Sequence, residues 1–102
     1  MGTKSLRNQL SALINLWSFR PSPSTPEGQA WIDGAQWAWD QATGDRDYRR
    51  RLAHEALQTL TLMTEAHVKQ LFLNNIIRHN KREALLKEIA EVVAIVESGI
   101  DS

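Results

Sequence analysis

Cysteine is absent from the 102-residue chain. That excludes a stabilising disulfide and any thiolate metal site. Proline is confined to Pro21, Pro23 and Pro26, so the rest of the chain is free to be helical. Glycine is scarce, at five residues, and none gathers into a turn of the kind that cradles a phosphate. No apolar run reaches the ~18 residues that a membrane-spanning helix needs. Neither sign of charge dominates, with twelve Lys and Arg against twelve Asp and Glu. The basic excess of a broadly nucleic-acid-binding surface is therefore missing. The opening MGTKSLRNQL carries no apolar segment of the signal-peptide type, and a cytoplasmic location is the expectation. A chain this short buries roughly two thirds of its unfolded surface at most. Without disulfides or metals, oligomerisation is the common way to enlarge such a core.

What is present is helical periodicity, in four segments. In SLRNQLSALINLW, Leu6, Leu10, Leu13, Ile14 and Trp17 recur at the spacing of one helix face, with Thr3 or Ser5 as the cap. The prolines of SFRPSPSTPEG end this helix near Phe19 and impose an extended connector. Ser24 or Thr25 caps the second helix, Pro26 suits its first position, and Glu27 complements its dipole. TGD ends that helix at about Thr43, with Gly44 free to turn left-handed and Asp45 or Asp47 capping the next.

The third helix, from about Arg46, meets no Gly or Pro before Ile77. Leu52, Ala56, Leu60 and Met63 form its stripe. Beyond His67, Val68, Leu71, Phe72, Leu73, Ile76 and Ile77 surround the helix rather than line one side. About 33 residues at 1.5 Å each is roughly 50 Å, longer than a globule of this size needs. Either the helix bends near Met63–His67 or a second copy encloses its far half. Asn80, in RHNKR, is the expected left-handed residue of a tight turn. The fourth helix carries Leu85, Ile89, Val92 and Val96, flanked by Leu86, Val93 and Ile100, and Gly99 is expected to end it.

The fold class expected is therefore all-α: a small helical bundle on a long antiparallel helical hairpin, associating as a homodimer. Residues 1–25 read as an N-terminal helix and connector that form an arm. Residues 26–102 read as the bundle of a single domain. The dimer seam is expected along Val68, Leu71, Phe72, Ile76, Ile77, Ile89 and Val93.

WIDGAQWAWD holds three of the four tryptophans. At 100° per residue, Trp31 and Trp39 share a face with Ile32, Ala35, Ala38 and Ala42, which makes them core residues. Trp37 points away and is a candidate apolar anchor for a partner. Arg46, Arg49, Arg50 and Arg51 stand at a helix start, where positive charge opposes the macrodipole. Local stability does not ask for them, so they are candidates for binding an acidic surface or phosphate. Asp33 and Asp40 are their nearest expected partners within the chain. Arg78, Lys81 and Arg82 form a secondary basic patch, which an antiparallel dimer would bring near the first.

No gathered carboxylates, helical metal-ligand pair or nucleophile turn is evident, so no cofactor, metal, catalytic residue or small-molecule substrate is expected. Arg49 and His54 resemble, in spacing alone, the Arg-x4-His pair of helical ribonuclease toxins, which would imply RNA cleavage. The function expected is non-catalytic: a small regulatory, adaptor or inhibitor protein that binds another protein through Arg46, Arg49, Arg50, Arg51 and Trp37. Nucleic-acid binding through a composite basic patch is the alternative, and no membrane is expected as a partner.

Overall fold

A computed structural model describes residues 5–18 and 26–101, which form five helices and no strand. They are α1 (Leu6–Gln9), α2 (Ser11–Ser18), α3 (Pro26–Gln41), α4 (Arg46–Leu73) and α5 (His79–Asp101). No described helix is long and apolar enough to cross a membrane. The proline connector with its Ser24 or Thr25 cap, and the Trp17 side chain, lie outside the described part.

The first predicted helix is two. Ser5 caps α1 by accepting the Asn8 N–H at its Oγ (3.1 Å). At Leu10 the backbone leaves helical geometry (φ −93°, ψ 2°), and α2 starts afresh. The N-terminal helices pack on their own chain. Leu6, Leu10, Leu13 and Leu16 are all buried in the same core as Leu60, Leu85 and Ile89. Polar contacts hold the segment down as well. The Arg7 N–H donates to Gln36 Oε1 (2.8 Å), and the Arg7 guanidinium pairs with Asp33 on α3. Four leucines on one face, each contributing on the order of 2 kcal/mol when buried, outweigh the tendency of so short a helix to fray.

α3 buries Ile32 and Trp39 and lays Trp31 and Ala35 against the core. Gly44, with φ +96°, makes the left-handed exit from α3. Asp45 then caps α4, its Oδ1 accepting the Tyr48 N–H (2.9 Å).

α4 is one continuous helix of 28 residues. At 1.5 Å per residue that is about 42 Å, close to the 46 Å long axis of the molecule. The helix is unbroken through residues 63–67. Its buried face is Ala53, Ala56, Leu57, Leu60, Thr64, Val68 and Leu71, with Leu52 and Met63 half-buried beside it. Thr64, a polar residue in that row, satisfies its hydroxyl by donating to the Leu60 carbonyl (2.7 Å), as a buried hydroxyl must.

The helix ends at Leu73, four residues earlier than the pattern suggested. Asn75, not Asn80, is the left-handed residue, with φ +61°. The Ile76 N–H donates to Leu71 O (2.9 Å) and the Asn75 N–H to Phe72 O (3.0 Å), the paired bonds of a Schellman termination. Asn80 lies inside α5, and Gly99 does not end that helix, which runs on to Asp101. α5 packs along α4, burying Leu85, Ile89 and Val96. Its last turn lies at the start of α4, where Arg50 meets Asp101, and its first turn lies at the end, where Arg82 covers Phe72.

Most residues of the expected dimer seam are covered within the single chain. Val68, Leu71 and Ile89 are buried within the single chain. Phe72, Ile77 and Val93 are half-buried, the last two against the same core. Of the seven residues, Ile76 alone is exposed.

Three substitutions test this arrangement. Leu13→Ala removes a side chain with 0% exposure and is expected to lower unfolding free energy by about 2–5 kcal/mol. Urea denaturation measures it, and a loss below about 1 kcal/mol would restore the arm. Asn75→Gly is expected to be neutral or stabilising by up to about 1 kcal/mol, and Asn75→Ala destabilising by a similar amount.

Candidate functional site

The arginine run divides by helix geometry. α4 turns about 100° per residue, which places Arg46, Arg49 and Arg50 on the side that carries Ala53, Leu57 and Leu60. Arg51 faces the opposite way. The first three therefore stand where the core-facing side of α4 runs past the end of the core.

There they wall a cleft of about 580 Å³ at the meeting of four helices. α1 contributes Gln9 and α3 contributes Trp39. α4 contributes Arg46, Asp47, Arg49, Arg50 and Ala53, and α5 contributes Ile100 and Asp101. A volume of this size suits a small molecule or a few side chains of a peptide.

Each arginine is held differently. The Arg49 guanidinium lies 3.5 Å from the centre of the Trp39 ring. Its Nε–H also donates to the Trp39 carbonyl (3.2 Å), which accepts the Ala42 N–H (3.2 Å) at the end of α3 as well. Stacking and hydrogen bond together hold Arg49 flat across a buried indole. Arg50 donates to the Asp101 carboxylate (3.2 Å) and carbonyl (3.3 Å). Arg46 has no hydrogen-bond or ion-pair partner among the described residues. Among the described residues it is the cleft cation without a partner.

Asp101 is shared. The His54 Nε2–H donates to the Oδ1 that Arg50 also contacts (2.7 Å). This hydrogen bond is the chief cause holding the Asp101 carboxyl below its ordinary value of 3.8. Arg50 and the two positive charges add to it, and partial loss of solvent opposes it. His54 itself faces a second, smaller groove between α4 and α5, of about 310 Å³, with Leu57, Gln58, Thr61, Leu62, Val93 and Glu97. Arg49 and His54, whose spacing resembled a ribonuclease pair, are thus committed to different partners and line different openings.

Trp37 is exposed (66%) but does not line the cleft, and Trp39 is the indole that meets the arginines. The expected pairing of this cluster with Asp33 and Asp40 is replaced as well: Asp33 meets Arg7, and Asp40 accepts from Gln36 (2.8 Å). Arg51 lies beside Tyr48, 5.9 Å from its ring. The secondary patch sits at the other end of α4. Arg78 and Lys81 are exposed there. Arg82 stacks on Phe72 (4.5 Å) and pairs with Glu83 (2.9 Å). Within one chain the two basic groups do not join. Among the described residues no three His, Asp or Glu side chains gather as a metal site.

Sequence reasoning missed Gln9, Ile100 and Asp101. Nothing local announces Asp101, which lies 51 residues from Arg50. No protein-family model, curated protein or solved structure matches the chain.

The Asp101 contacts have a pH signature. A depressed folded-state pKa contributes stability that is fully present above the ordinary carboxylate value and lost as pH falls through the folded one. Wild type should therefore lose more thermal stability than Asp101→Asn on acidification from about pH 5 to pH 2. Parallel melting-temperature curves for the two proteins over that range would contradict the assignment.

Proposed function

We propose that this chain is a non-catalytic binding protein, an adaptor or inhibitor, that recognises an acidic segment of another protein at the Arg46–Arg49–Arg50 cleft. The observation that carries this reading is the placing of three arginines around one cleft, with Arg46 unpaired among the described residues.

The chemistry supports a carboxylate-bearing partner. Guanidinium groups offer paired donors that match carboxylate geometry. Two of the chain's own carboxylates, Asp47 and Asp101, line the cleft beside three arginines, and Arg50 already holds Asp101, so this donor set accepts the group that an Asp- or Glu-rich segment would bring. Trp39 and Ala53 keep the floor apolar, and Arg49 is pre-set by its stacking. A pre-set side chain loses little freedom on binding. In this reading α4 and α5 act as a rigid antiparallel hairpin that presents the cleft, in a cytoplasmic protein that works as a homodimer.

The test is fluorescence anisotropy with a labelled Asp/Glu-rich peptide and, separately, a labelled oligonucleotide. The peptide is expected to bind, and Arg46→Glu to weaken it at least tenfold, about 1.4 kcal/mol, without moving the melting temperature. Peptide binding indifferent to Arg46→Glu would overturn the reading. Oligonucleotide binding that falls steeply with salt, as counterion release requires, with no binding of the peptide, would replace it with the nucleic-acid alternative.

A further inference from the structure

The face of α4 opposite the core has an order that a monomer does not explain. Tyr48, Arg51, Glu55, Gln58, Leu62, Ala66, Lys69 and Leu73 are all exposed. Taken at 100° per residue they fall within about 40° of Leu62, in a single stripe running the length of the helix. Three of the large exposed hydrophobic residues lie on it: Tyr48, Leu62 (60%) and Leu73 (59%).

The stripe reads the same in both directions from Leu62. The intervals are four, three, four and three residues toward Tyr48. They are four, three and four toward Leu73, and three more reach the exposed Ile76. An antiparallel helix pair related by a two-fold axis at Leu62 brings together residues whose numbers sum to 124. Leu62 then meets its own copy and Gln58 meets Ala66. Glu55 meets Lys69, and Arg51 meets Leu73. The only acidic residue of the stripe is thereby set against its only lysine, twice. Within the chain neither Glu55 nor Lys69 has an ion-pair partner among the described residues. Arg51 covers Leu73 with its aliphatic stem, as long basic side chains do beside an apolar seam. Such a face, complementary to itself under a two-fold, is what an isologous contact requires.

We infer that α4 pairs with α4 of a second copy of this chain, antiparallel and centred on Leu62, with Glu55–Lys69 pairs on either side of the centre. This rests on the homodimer part of the reading above and moves its seam from the core residues to the outer face of α4. The cleft lies on the other side of the helix and stays open in the pair. A contact made by one helix face about 42 Å long is of the small, reversible class.

Sedimentation equilibrium from about 10 μM to 1 mM tests it on the full chain. The wild type is expected to approach twice its 11.6 kDa mass over that range. Glu55→Lys and Lys69→Glu are each expected to weaken the dimer about tenfold, because symmetry doubles each reversed pair. The double variant Glu55→Lys/Lys69→Glu should recover to within about threefold of wild type, a roughly 0.7 kcal/mol difference. Leu62→Asp should abolish association while circular dichroism stays that of the folded protein, since Leu62 is outside the core. A wild type that stays at 11.6 kDa throughout, single reversals without effect, or a double variant that does not recover would each overturn the inference. Arg46→Glu is expected to dimerise as wild type does, so a failure of peptide binding and a failure of pairing are separate results.

Discussion

The stacking of Arg49 on Trp39 is the contact on which the arginine-lined end of the molecule depends. Trp39 is buried near the end of α3, and Arg49 sits in the first turn of α4, so the pair closes the corner that Gly44 and Asp45 open. A guanidinium at 3.5 Å from an indole, with its Nε on that residue's own carbonyl, leaves α3 and α4 little freedom to swing apart. That carbonyl also accepts the Ala42 N–H (3.2 Å), so Arg49 joins a backbone turn at the end of α3. Cation–π contacts of this kind contribute on the order of 1–2 kcal/mol where solvent is partly excluded. The larger consequence here is positional, because the cleft exists only while that corner stays closed.

The opposite wall is set by the far end of the chain. Asp101, in the last turn of α5, receives both Arg50 and His54 from α4. These contacts are exposed and individually weak. The packing beneath them, Val96 and Ile100 of α5 against the core, does most of the holding. The cleft is therefore assembled from α1, α3, α4 and α5 together, and it reports on the integrity of the whole bundle.

Much of this was legible in the sequence, and the exceptions have physical reasons. Periodicity located every long helix, the Gly44–Asp45 junction, and the core roles of Trp39, Leu85, Ile89 and Val96, because each depends on local spacing. Leu6, Leu10 and Leu13 were legible as an apolar face, but whether that face meets its own chain depends on the proline-bounded connection, which carries no such signal. Val68, Leu71 and Ile89 read as seam residues because an apolar row looks the same in sequence whether a neighbouring helix belongs to the same chain or to another. The termination at Leu73 was hidden because Ile76 and Ile77 continue the apolar pattern through a left-handed Asn75. The cleft was half visible. Four arginines at a helix start were conspicuous, but their division into three and one required knowing which side of α4 faces the core. Asp101, which completes the site, is brought there only by the tertiary fold.

Two sides of one helix thus carry different chemistry. The arginine end of the core-facing side meets α3 and α5 in a cleft of positive character, and the outer side is a charge-balanced stripe. The central claim is that the cleft is where a partner is received. Amide chemical-shift mapping of the ¹⁵N-labelled chain during titration with an Asp/Glu-rich peptide tests it most directly. The account predicts that the largest changes fall on Gln9, Arg46, Asp47, Arg50, Ala53 and Asp101. Changes concentrated on Arg78 to Arg82, or around Trp37, with the cleft residues unmoved, would contradict it.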